Sequence, residues 1–272
     1  MQISFWSNMR GQGATSANAA AVASIVAQKT ALKTIVAHNH FEHSALESYF
    51  FRHSDRFGRD VPGLANQGVD ALVRLMRNGR LKPEMVADYT WSLLKDHRLD
   101  ILPGTAKKER WGAQDEGVLM SILECAKKTY DLVIMDVHSG LSGSGSRRLL
   151  ESSDVLVFCL NQNRFLLDDF AEVMKNNPFF REKRCVYVIS RYLKHAALTP
   201  GNLARRYKLD KAALFEIPDN SRFLDALNSG RVFDFIAYYR NARTGEEKEF
   251  IDSLNRLCDV VVEGCAKKCR NL

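Results

Sequence analysis

The sequence contains no apolar run long enough to span a bilayer, no linker rich in Pro, Gly or Ser, and no internal repeat. The first absence excludes a membrane-spanning helix, the second argues against tethered domains, and the third against a solenoid. Residues 11–28 carry no charged side chain, yet Gln12, Thr15, Ser16, Asn18 and Ser24 interrupt them. They read neither as a signal peptide nor as a membrane span. The six cysteines (Cys125, Cys159, Cys185, Cys258, Cys265, Cys269) are scattered and have no metal-ligand spacing. They fit reduced thiols in a cytoplasmic protein better than a disulfide framework. Acidic residues are fewer than basic ones, 32 against 39, and the formal charge of +7 favours an acidic partner without establishing one.

What is present is a globular composition: 272 residues, 46% apolar and 26% charged, which excludes a disordered chain. Short β-rich runs at 2–6, 33–37, 99–102, 131–135, 155–160, 186–190 and 214–217 alternate with helical patterns. Several are apolar along nearly their whole length, as strands buried on both faces of a parallel sheet must be. The expectation is an α/β fold, a doubly wound, mostly parallel sheet flanked by helices, forming a single domain over 1–272. Residues 139–146 read as a Ser/Gly loop. A final helix over 246–267 places Phe250, Ile251, Leu254, Leu257, Cys258, Val261, Val262 and Cys265 on one face. Its apolar stripe and the acids Glu249, Asp252, Asp259 and Glu263 suit docking on the sheet rather than insertion into lipid.

The first strand runs into Ser7-Asn8-Met9-Arg10-Gly11-Gln12-Gly13-Ala14-Thr15-Ser16 and then a helix of small residues. A glycine turn feeding a helix N-terminus offers backbone N–H groups to an anion, and the helix dipole adds to the attraction. Thr15 sits where a hydroxyl would hold Mg²⁺. The full phosphate-loop pattern ends in Gly-Lys-Ser/Thr, and here Ala14 stands at the lysine position. On its own Gly-x-Gly-Ala-Thr also suits any β–turn–α corner.

In this register the chain resembles the ParA/MinD family of deviant P-loop ATPases. Met9 to Ser16 aligns with the family's Lys-Gly-Gly-x-Gly-Lys-Thr-Thr/Ser. Ile101-Leu102-Pro103-Gly104, the strand Tyr130 to Asp136, and Leu214 to Asn220 with Leu224 and Gly230-Arg231-Val232 follow in the family's order. The resemblance implies bound ATP or ADP with Mg²⁺. Its phosphates would be held by Arg10, Gly11, Gln12, Gly13, Ala14, Thr15 and Ser16, and its metal by Thr15 and Asp136. Arg191, Pro218 and Asn220 would lie beside the base. It also implies a homodimer.

The departures matter as much. The family's signature lysine falls on Met9, its second loop lysine on Ala14, and its acidic pair after strand two on His38-Asn39-His40. A Gly-Ala-Thr loop without lysine is similar to the TadZ/CpaE branch, which implies a regulatory or scaffolding role in placing Tad/Flp pilus or secretion machinery. Loss of both lysines removes much of the charge stabilisation that phosphoryl transfer needs. Hydrolysis is expected to be slow or absent. An active ParA-type ATPase that partitions or positions cargo on DNA is the alternative.

Arg10 reads either as a replacement charge or as a solvated side chain, and Ser190 stands where the family has asparagine. Asp136 reads as a metal-linked carboxylate in preference to a strand-end cap. His38 and His40 read as loop histidines without catalytic work, and His43 and His53 add no zinc spacing. The basic clusters Lys107/Lys108/Arg110, Arg147/Arg148, Lys183/Arg184, Arg205/Arg206/Lys208 and Lys267/Lys268/Arg270 read as solvated surface, with non-specific DNA binding the other reading.

Overall fold

Strands that must be apolar on both faces assemble side by side, and here they form one eight-stranded sheet. In the computed structural model, residues 1–40, 44–51, 67–106, 113–141 and 144–269 are described. The strands are β1 (Gln2–Trp6), β2 (Thr34–His38), β3 (Trp91–Leu94), β4 (Leu99–Ile101), β5 (Leu132–Asp136), β6 (Val155–Leu160), β7 (Arg184–Tyr192) and β8 (Leu214–Pro218). Their order is β3-β4-β2-β5-β1-β6-β7-β8, parallel throughout except for the antiparallel pair β3–β4. β1 lies between β5 and β6, in register Ile3 with Ile134 on one side and with Val155 on the other. The chain leaves the carboxyl end of β1 where connections diverge to the two halves of the sheet, the crevice where open α/β sheets bind ligands.

The helix after β1, α1 (Thr15–Lys29), is buried along nearly its whole length because the sheet covers one side and later helices the other. Its sequence TSANAAAVASIVAQK meets both demands: alanine is the best helix former and is small enough for close packing on every side. At its C-terminus Arg98 Nη2 donates to Ala27 O at 2.6 Å and Thr30 O at 2.8 Å, placing a cation on the negative end of the dipole. The remaining helices are α2 (Leu46–Phe50), α3 (Gly68–Arg77), α4 (Ala113–Thr129), α5 (Ser144–Glu151), α6 (Arg164–Asn176), α7 (Pro200–Tyr207), α8 (Ser221–Asn228), α9 (Val232–Tyr239) and α10 (Gly245–Cys269).

In α10, Phe250, Ile251, Leu254, Leu257, Cys258 and Val261 are buried against α1 and β8. The acids that were expected to face outward have partners: Asp259 meets Lys29 at 2.5 Å and Glu263 meets Arg184 at 2.9 Å. The side chain of Cys265 lies outside the described residues.

Two local readings of the sequence are corrected. β3 was not expected, because Trp91 alone is buried in a four-residue edge strand and no alternation builds up. Residues 139–146 do not remain a loop, since helix α5 begins at Ser144. Ser146 is buried there and donates to His138 O at 3.1 Å.

On the sheet face away from α1, Phe158 of β6 is fully buried among aromatics. Its ring centroid lies 5.8 Å from Trp6, 5.1 Å from Phe170, 5.2 Å from Phe180 and 5.6 Å from Tyr187. Phe158→Ala removes the ring that joins β1, α6 and β7, and it should cost about 3–5 kcal/mol in urea unfolding. A loss below about 1 kcal/mol would mean the cluster is not a structural centre.

Candidate nucleotide site

The loop between β1 and α1 is pinned from several sides. Trp6 Nε1 donates to Gly140 O at 3.2 Å, and Gly140 N donates to Ser7 O at 3.2 Å. Asn8 Nδ2 donates to Leu166 O at 2.9 Å and Asp169 Oδ2 at 2.8 Å, tying the loop to α6. Asn161 Nδ2 donates to Gln12 O at 2.9 Å. Gly11 turns the chain at φ +73°. Gly13 is required for a different reason: a Cβ there would lie 2.3 Å from the Cys159 carbonyl oxygen and 2.8 Å from Ser7 Cβ. Ser190 Oγ donates to Gly13 O at 2.7 Å and accepts from Asn18 Nδ2 at 2.8 Å, so the end of β7 fastens the loop floor. Asn18 had no role in the sequence reading. Burial pushes the Cys159 thiol up to about 12, so it stays protonated and serves as packing.

Ala14 precedes α1 in the left-handed region, at φ 50° and ψ 36°, with no side chain capping the helix. The first-turn N–H groups of α1 therefore lack intrahelical partners and are available to an anion. Arg10 is exposed, Thr15 is half-buried, and Met9 packs partly against the protein's own aromatic-rich core.

At the foot of the loop the hydroxyl that reaches Asp136 belongs to Ser16, one residue beyond Thr15, with Oγ 2.5 Å from Oδ2. Asp136 is fully buried. Its Oδ1 has no hydrogen-bond partner and lies 3.4 Å from His40 Nε2, which has none either. The His40 ring stands 5.9 Å from that of His38 and 5.3 Å from that of His138. Between them Asn39 is buried: its Oδ1 accepts from His138 N at 2.6 Å and its Nδ2 donates to Ser146 Oγ at 3.2 Å.

His38 is not a loop histidine. It ends β2, is buried, and its Nε2 lies 2.7 Å from Glu47 Oε1. Gly104 N donates to the same oxygen at 2.9 Å, and a Cβ on Gly104 would sit 2.6 Å from His38 Cε1. Burial works against both charges, but their mutual attraction and hydrogen bond win. They lower the Glu47 carboxyl from 4.5 to about 2 and raise His38 above its ordinary 6.5. The amide of His40 donates to His38 Nδ1 at 3.1 Å. His43 and His53 lie outside the described residues.

The residues expected beside a base do come together. Arg191, Pro218 and Asn220 line a cavity of about 320 Å³ with Ala14 and Asn18 from the loop side, over an apolar floor of Ile217, Phe223 and Leu227. Arg191 has φ 50° at the point where the β7–β8 register shifts. Asn220 Oδ1 accepts from Phe223 N at 2.8 Å and so caps α8. An anion cradle at one end and an apolar slot at the other suit a ligand with phosphate and a flat apolar group.

Several of the basic clusters are used within the fold. Arg147 pairs with Glu151 at 2.8 Å and lies over Phe179, Lys183 donates to Ser153 O at 3.1 Å, and Arg206 lies over Tyr207. Lys107, Lys108, Arg110 and the side chains of Lys267, Lys268 and Arg270 lie outside the described residues.

The His38–Glu47 pair sets a pH window. The depressed Glu47 contributes stability above 4.5 and loses it as pH falls through about 2, whereas the raised His38 contributes below 6.5 and loses it as pH rises through its folded value. Glu47→Gln should destabilise by about 3 kcal/mol, the scale of breaking a buried pair. The deficit should be largest between pH 4.5 and 6.5 and shrink on either side. Denaturant titrations of both proteins across this range provide the check; a pH-independent difference would show that the pair is not ionised.

No protein-family model matches the chain, and no curated protein matches its sequence. Solved structures do match. A ParA family ATPase from Chlorobium tepidum TLS superposes with a TM-score of 0.72 at 14% identity, covering 94% of this chain and 98% of that one. The septum site-determining protein MinD complexed with Mg-ADP from Pyrococcus horikoshii OT3 gives 0.66 at 15% identity, covering 96% and 95%. The MinC:MinD cell division protein complex of Aquifex aeolicus gives 0.66 at 14%, covering 97% and 96%. The chain therefore has the architecture of the ParA/MinD-type P-loop ATPases, an eight-stranded, mostly parallel sheet flanked by helices.

Proposed function

We propose that the protein is a nucleotide-binding regulatory or scaffolding domain that takes ATP or ADP and hydrolyses ATP slowly or not at all. The observation that carries this reading is the joining of the Gly11–Gly13 loop to the apolar cavity at Ala14, at a position with no ammonium group. Phosphates would rest on the N–H groups opening α1, and the base would enter between Arg191, Pro218 and Asn220. The charge that a lysine would bring to the β- and γ-phosphates is missing, and with it a large part of transition-state stabilisation.

Homodimer formation belongs to the same reading. Met9, which stands at the family's signature lysine, partly packs into its own core and can offer a partner's phosphate no charge. Dimer affinity should then come from protein contacts more than from nucleotide. The lysine-free Gly-Ala-Thr loop, similar to that of the TadZ/CpaE branch, supports pilus or secretion machinery as the partner and a cytoplasmic protein brought to the pole or the membrane by that partner. Among the described residues no helix is long and apolar enough to cross a membrane. Mg²⁺ fits the residues less well than nucleotide does, because both oxygens of Asp136 face side chains of this protein.

Calorimetry with ATP and ADP tests the reading. Binding should be micromolar or weaker, and Ala14→Lys should tighten it by about 1–3 kcal/mol, the range of a charge-assisted hydrogen bond. Absence of heat with either nucleotide at millimolar concentration would overturn it. Phosphate release should stay far below about one turnover per second, the low end of ordinary enzyme rates. Steady turnover at that rate, abolished by Asp136→Ala, would establish instead an active ATPase of the partition type.

A further inference from the structure

The nucleotide reading leaves the histidines around Asp136 without a role. We propose that His40, held in place by His38 and His138, closes the Asp136 carboxylate to divalent cations, so that the protein binds ATP and ADP as the metal-free anions. The inference rests on the nucleotide reading and concerns how that site neutralises phosphate.

Mg²⁺ demands oxygen donors in near-ideal octahedral array and takes them from carboxylates, hydroxyls, phosphates and water. Asp136 is the carboxylate at the foot of the loop. Its Oδ2 is engaged by Ser16 at 2.5 Å, and its Oδ1 faces an imidazole nitrogen at 3.4 Å, not solvent. Oδ1 and His40 Nε2 are both buried atoms with no other partner. Leaving either unmet is costly in a buried site, so a small ring movement that joins them is favoured. The ring is poorly placed to withdraw. His40 N is bonded to His38 Nδ1, Asn39 is clamped by His138 N and Ser146, and the ring stands 5.9 Å and 5.3 Å from the other two imidazoles. The neighbouring carboxylate cannot replace Asp136, since Glu47 is turned onto His38 and Gly104 N. Nitrogen donors pressed against the carboxylate are the wrong chemistry for Mg²⁺. The positive end of α1 remains to meet the phosphates.

The test is titration of the full chain with ATP and with ADP, in excess Mg²⁺ and in excess EDTA. The dissociation constants should agree within about twofold between the two buffers. Tightening by about tenfold or more in Mg²⁺ overturns the inference and leaves the nucleotide reading standing, whereas no binding in either buffer overturns both. His40→Ala uncovers Oδ1 and should make ATP binding at least about fivefold tighter in Mg²⁺ than in EDTA. His40→Gln keeps an N–H donor and should restore indifference to the metal. If the wild type ignores Mg²⁺ and His40→Ala, still folded by thermal melting, ignores it equally, His40 is not the block and the proposal fails.

Discussion

Everything at the ligand end of the sheet depends on how closely the loop after β1 lies on its neighbours. Gly13 passes so near the Cys159 carbonyl that no side chain fits, and Ser190, itself bonded to Asn18, accepts the loop into the end of β7. That contact fixes the starting point of α1. It thereby directs the helix's free N–H groups toward the cavity and carries Ser16 onto Asp136. A loop lifted by even the width of a methyl group would break the link between β6, β7 and the helix, and the anion cradle with it.

The sequence was most informative where burial is complete. Strands enclosed on both faces announce themselves by continuous apolar runs, and α1 by its alanines, so the central sheet and the glycine loop were legible at once. The edge strand β3 was not, because an edge buries little and so constrains few residues. Arg191 is far along the chain from Pro218 and Asn220, and it was the family resemblance, not spacing, that grouped them at one site. Glu47 carried no signal: its partner His38 belongs to another element, and a single acid near a helix start is ordinary. That Ser16 reaches Asp136 was not legible either, because which hydroxyl at a helix start meets a strand-end carboxylate is a matter of helix phase.

The same elements divide the site into two electrostatic halves. On the α8 side the cavity is apolar with one guanidinium, Arg191, at its edge. On the α2 side, His38, Glu47 and Gly104 N are bonded to one another, and Asp136 Oδ1 faces His40 Nε2 at 3.4 Å without a hydrogen bond. In that second half the polar groups are buried and face one another, and little is offered outward. A ligand at such a site would be met chiefly by backbone dipoles and shape.

The placement of β1 has a consequence for synthesis. The first strand made is the central one, and its neighbours come much later: the amino terminus bonds to Asp131 O, and Gln2 N to Asp154 Oδ2. At about 5–20 residues per second, β1 waits roughly 6–30 seconds after it emerges from the ribosome before β5 and β6 follow. During that wait, residues 2–6 and the alanine helix behind them form an apolar, unpaired segment of the kind that seeks other strands. Strand order alone thus leaves this segment without its sheet partners until the middle third of the chain is being made.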